Sequence, residues 1–133
     1  MFKRKVSFTI MVAVLIVVSI VCFSGCQEKK HGPIPYGSYA LYENGEIKQT
    51  PAEYNWNVYS KIEFLYSTYV FAEDDDGKTY FEMVKDGVAI KFQFKYNDTT
   101  GVLSVYLPED IYTNYQNAIE GNSNYVWMDY LKK

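Results

Sequence analysis

The stretch VAIKFQFKY, residues 88–96, sets Val88, Ile90, Phe92, Phe94 and Tyr96 on one side of an extended chain and Ala89, Lys91, Gln93 and Lys95 on the other. Successive side chains of a strand point to opposite faces, so this period of two predicts a strand with one face on a core and the other in water. One-sided burial is the habit of antiparallel sheets. Residues 78–84 read as a second strand, and Lys85-Asp86-Gly87 between the two carries the Asp-Gly pair favoured in tight hairpins. Asn97-Asp98-Thr99-Thr100-Gly101 is then a turn and residues 102–107 a third strand, which completes a meander.

The pattern continues in both directions. Residues 36–42 read as a strand and Glu43-Asn44-Gly45-Glu46 as its turn, with the Asn-Gly pair that type I′ geometry prefers. Residues 58–71 are rich in β-branched and aromatic side chains but too long for one ordinary strand, which places a break near Tyr66-Ser67. Pro108-Glu109-Asp110 looks like a helix start, with acids in the first turn, Ile111, Tyr115, Ala118 and Ile119 on one face and Gly121 as the stop. Residues 125–131 form the last strand. The expectation is an all-β, antiparallel meander, a small barrel or strongly curled sheet with one short helix near the C-terminus.

A family resemblance supports this. The segments YGSYALYENGE, KIEFLYSTYVF, DGKTYFEMVKDG and FKYNDTTGVLSVY are similar to the small lipocalin-like (calycin-like) domains of lipoproteins from low-GC Gram-positive bacteria, with Gly37-Ser38-Tyr39 as the counterpart of their opening Gly-x-Trp/Tyr. The resemblance spans residues 36–133 and implies a calycin-like barrel.

The N-terminus gives an address. Lys3, Arg4 and Lys5 precede a run from Val6 to Val21 relieved only by Ser7, Thr9 and Ser19, the pattern of a secretory signal peptide. The apolar stretch is also just long enough to span a bilayer of about 30 Å as an uncleaved helix. Phe23-Ser24-Gly25-Cys26 resembles the lipobox of bacterial lipoproteins, with phenylalanine where leucine is usual. The resemblance implies cleavage before Cys26 and a diacylglycerol on its sulfur, with an acyl lipid besides. Cys22 follows Val21 rather than a small residue and is lost with the signal. Two acyl chains give stable anchoring where one would be reversible. The expected organisation is a signal peptide over 1–25, a lipidated N-terminus and flexible tether over 26–35, and one barrel-like domain over 36–133, held at the extracytoplasmic face of the cell membrane.

Composition bounds the chemistry. The chain carries 13 basic and 16 acidic residues, and its single arginine, Arg4, lies in the signal with two of the lysines. An acidic, arginine-free domain is badly suited to nucleic acid, which demands neutralisation of phosphates. The one histidine, His31, lies in the tether. Ser-His or Cys-His nucleophilic catalysis and typical zinc sites both need positioned imidazoles or thiolates, so neither is expected, nor is any cofactor beyond the lipid. Glu73-Asp74-Asp75-Asp76-Gly77 has oxygen ligands for calcium, but the position six beyond its glycine is Met83 rather than the closing glutamate of an EF-hand, and a solvated turn explains it.

Fourteen tyrosines and two tryptophans remain. Packing accounts for most of them, Trp56 and Trp127 included; as ligand contacts the candidates are Tyr39, Trp56, Tyr66, Tyr69, Tyr106 and Trp127, since such rings offer an apolar face and a polar tip. The expected function is therefore a non-catalytic, membrane-anchored binding module for a small amphipathic ligand, a glycan or a protein. The alternative is a structural or inhibitory envelope protein that works by protein contact, through an exposed edge strand or the helix near Ile111. A core filled by the Ile90, Phe92 and Phe94 face would leave only the outer surface for recognition.

Overall fold

The computed structural model describes residues 28–121 and 123–133. Cys26 and the segments expected to be signal peptide and lipobox lie outside the described residues. Within them the fold is all-β. A two-residue hairpin, β1 (Lys30–His31) with β2 (Ile34–Pro35), comes first. β3 (Gly37–Glu43), β4 (Glu46–Ile47), β5 (Trp56–Val58), β6 (Ile62–Phe64), β7 (Ser67–Glu73), β8 (Thr79–Lys85), β9 (Val88–Asn97), β10 (Val102–Pro108) and β11 (Tyr125–Lys132) follow, with a short helix, α1 (Tyr115–Ile119), before the last strand. The hydrogen-bonded order is β11-β10-β9-β8-β7-β6-β5-β3, and pairing of β11 with β3 closes these eight strands into an antiparallel barrel. β4 pairs only with the end of β3.

The alternation expected over residues 88–96 is realised from Ile90 onward, while Val88, at the turn end of the strand, is 62 % exposed instead of facing the core. Phe92 and Phe94 are buried while Lys91 and Lys95 are exposed. Asp86 and Gly87, with φ of 53° and 78°, form the β8–β9 turn, and Asn44 and Gly45, with φ of 53° and 78°, the β3–β4 turn; positive φ at both central residues is what type I′ geometry requires. The break in the long aromatic stretch falls at Leu65 and Tyr66, which take φ of 48° and 63° without a glycine. A second break separates β5 from β6, so residues 56–73 supply three strands rather than two.

Two local expectations change. Pro108-Glu109-Asp110 does not start the helix: Pro108 is the buried last residue of β10, turns follow it, and α1 begins at Tyr115. Its cap is Asn114, whose side chain accepts a hydrogen bond from the Asn117 backbone N–H. The part of the tether from residue 28 to 35 is also folded. Ile34 is fully buried and Pro35 buried with it, the Tyr39 hydroxyl donates to the Pro35 carbonyl at 2.8 Å, and the Tyr36 N–H donates to the Lys29 carbonyl. One apolar residue beside a Gly-Pro turn is enough to fold this polar segment back, because the barrel end supplies the apolar surface it lacks.

The hairpin thus closes the barrel end where β3 starts, and the 109–119 segment, through buried Ile111 and Ala118, packs at the other. Between them the interior is aromatic. Trp56 stacks on Phe64 (4.0 Å, 3°) and on Phe81 (4.4 Å, 23°), and Phe81 stacks on Phe94 (4.2 Å, 13°).

Candidate functional site

The strands fix where recognition can occur. Along β10 and β11 the register sets Leu103 opposite Tyr130, Val105 opposite Met128 and Leu107 opposite Val126 on the inner face, and Ser104 opposite Asp129 and Tyr106 opposite Trp127 on the outer face. Outward side chains make an aromatic strip: Tyr106 lies 5.3 Å from Tyr125 and 5.0 Å from Trp127, and the Lys95 ammonium sits 4.8 Å from the Trp127 ring centroid. A cation over an indole face is an attractive arrangement. Ser104 donates to Asp129 at 2.7 Å beside it.

Next to this strip the barrel wall opens. β11 meets β3 at only three residue pairs, Tyr130–Leu41, Leu131–Ala40 and Lys132–Tyr39. Beyond Leu41, β3 turns to pair with β4. The gap is a groove of about 730 Å³ at the α1 end, lined by Leu41, Tyr42, Glu43, Glu109, Tyr112, Val126, Trp127, Met128 and Asp129 among others. Its lining holds three carboxylates and no basic residue. Tyr112 is fixed there: its ring stacks on Tyr54 at 4.3 Å, and its hydroxyl meets the hydroxyl of buried Tyr130. Burial pushes the phenol pKa of Tyr112 well up, and that of Tyr130 likewise, so both stay neutral hydrogen-bonding groups at neutral pH.

The six aromatic candidates are not brought together. Tyr39, Trp56 and Tyr69 belong to the core, at 0 %, 0 % and 1 % exposure. Tyr66 stands on the Leu65-Tyr66 turn, 88 % exposed. Trp56 and Tyr69 are neighbours inside the core, with ring centroids 5.3 Å apart, and Tyr106 and Trp127 are neighbours on the outer face. For Trp127 the packing expectation is corrected: it is 43 % exposed on the outer face, because the register that turns Met128 and Tyr130 inward turns Trp127 and Asp129 outward. Of the groove residues, sequence assigned Glu43 only a turn role and Glu109 only a helix-start role and did not single out Tyr112 or Asp129, since they come from a hairpin turn, a loop and a strand whose adjacency depends on barrel closure.

The other motifs have local roles. Asp74 accepts from the backbone N–H of Asp76 at 3.0 Å and of Lys78 at 2.8 Å, and from the Tyr80 hydroxyl at 3.1 Å. This ties its carboxylate into the β7–β8 turn. His31 Nδ1 lies 2.9 Å from the Tyr59 carbonyl oxygen and so helps seat the hairpin. Among the described residues, no three His, Cys, Asp or Glu side chains are grouped so as to hold a metal ion.

No protein-family model, curated protein or solved structure matches this chain.

Proposed function

We propose that the chain is a lipid-anchored extracytoplasmic protein whose barrel is a non-catalytic binding module acting through its outer surface. Its attachment is a diacylglycerol-bearing Cys26 at the outer side of the cell membrane, and its partners are a protein or glycan rather than nucleic acid. The anchor rests on the basic head, apolar run and Phe23-Ser24-Gly25-Cys26 sequence.

The observation that carries the surface reading is the filled interior. A barrel holding an apolar guest needs space where the Phe64, Trp56, Phe81 and Phe94 rings stack at 4.0–4.4 Å, and close-packed interiors yield that space only at the cost of their contacts. The outer side offers what the interior lacks, an aromatic strip beside an acidic groove. The single histidine is engaged with a backbone carbonyl, which favours binding over catalysis.

Titration with cis-parinaric acid tests the surface reading: no saturable uptake is expected, and one-to-one binding that quenches Trp56 would return the site to the interior. A metabolic fatty-acid label should mark the chain in cells and vanish in Cys26→Ala; a label that persists in the variant removes the anchor.

A further inference from the structure

We infer that the seam between β3 and β11 is a strand-addition site for an extended, basic segment of another protein. The inference rests on the surface-binding reading above and makes it specific. β11 pairs with β10 over seven positions, from Val102–Leu131 to Pro108–Tyr125, but with β3 over only three. Among the described residues, 125–129 therefore have a strand partner on one side alone. Backbone N–H and C=O groups alternate sides along a strand, so this stretch offers a short unpaired edge, the template on which an added strand forms its ladder.

The groove beside that edge selects the occupant. A strand antiparallel to β11 takes the place that β3 leaves when it turns toward β4. Five residues of it cover roughly 17 Å at 3.4 Å each. Its side chains alternate: one set faces Val126, Met128 and Tyr112, with Glu43 at the mouth of the groove, and the other emerges beside Asp129. The first set is best apolar and the second basic. Lys95, over Trp127, does not line the groove. A second copy of this chain is a poor occupant, because the chain is itself acidic, at net −3, and its own β11 edge would bring Asp129 against like charges.

The full chain in detergent micelles, followed by Trp127 fluorescence, tests this with blocked hexapeptides. An alternating lysine–valine peptide should bind saturably, and its glutamate–valine counterpart at least about tenfold more weakly, since like charges across an interface are costly. N-methylation of alternate backbone nitrogens on the bonding edge should abolish binding, because it removes ladder donors while leaving charge intact. Glu43→Gln and Asp129→Asn should each weaken the lysine–valine peptide several-fold with an unchanged circular dichroism spectrum. Equal binding of the N-methylated or the acidic peptide, or no saturable binding of the basic one, would overturn strand addition. Concentration-dependent dimerisation that competes with the peptide would assign the edge to a second copy instead. Uptake of cis-parinaric acid in the same samples would sink the surface reading itself, whereas failed peptide discrimination without such uptake sinks only the strand-addition site.

Discussion

Trp56 and Trp127 are the same residue on the same kind of strand, and they are used in opposite ways. Trp56, on β5, is fully buried and lies nearly parallel to Phe64 and Phe81 at 4.0 and 4.4 Å. Trp127, on β11, is tilted by 41° from Tyr106, faces outward and carries Lys95 over its ring. What separates them is parity: a strand assigns alternate positions to the two faces, and one step of register exchanges them. The interior tryptophan supplies stability. The exterior one supplies contact area that the barrel does not use for itself.

The sharpest way to break this contrast is to truncate both rings. Trp56→Ala should cost about 3–5 kcal/mol in urea unfolding, the range for removing a packed aromatic, whereas Trp127→Ala should cost no more than about 1 kcal/mol, the scale of an exposed cation–π contact. Equal losses would erase the distinction between the two regions. Ile34→Ala asks whether the hairpin belongs to the interior. A cost of about 2–3 kcal/mol is expected, the low end for a buried isoleucine, since a two-residue strand at a barrel end relaxes readily; a loss near zero would put residues 28–35 with the surface. The smallest effect concerns two carboxylates in turns. Hydrogen bonds from Ser123 and then Asn117 hold the Asp110 carboxyl below its ordinary range. For Asp74, partial desolvation pushes the other way but is outweighed by hydrogen bonds from the Lys78 N–H, the Tyr80 hydroxyl and the Asp76 N–H. With folded pKa values depressed, the unfolded chain binds more protons, so the stabilisation is present above about pH 4 and is lost as pH falls through the lowered values. Asp74→Asn combined with Asp110→Asn should flatten the acid limb of stability against pH. An unchanged limb would show these bonds to be without weight.

How much of this was legible depended on range. The alternation from Ile90 to Tyr96, the Asp86-Gly87 and Asn44-Gly45 turns and the break beside Tyr66 are decided by a residue and its immediate neighbours, and all appear in the fold. The helix start misled because Pro108-Glu109-Asp110 has the composition of a first turn, while Asn114, five residues after Glu109, has the capping geometry. Ile34 carries no periodic signal; its burial depends on a barrel end built by residues far along the chain. The groove is still less local. Neither Glu43 nor Asp129 is informative until β3 and β11 meet, and how soon they part is a property of closure rather than of either strand.

The β1–β2 hairpin has a consequence for orientation. It seats the described N-terminus at the pole where β3 begins and β11 ends, with Lys132 within 3.9 Å of Glu28. Glu43, Tyr112 and residues 126–129 lie toward the opposite pole, where β3 ends and β11 begins. The seven residues of β3 separate the two by roughly 20 Å at 3.3 Å per residue. A lipid anchor of the kind proposed, attached upstream of Glu28, would enter at the pole away from the seam, so the approach of a partner to the seam would not be obstructed by the attachment.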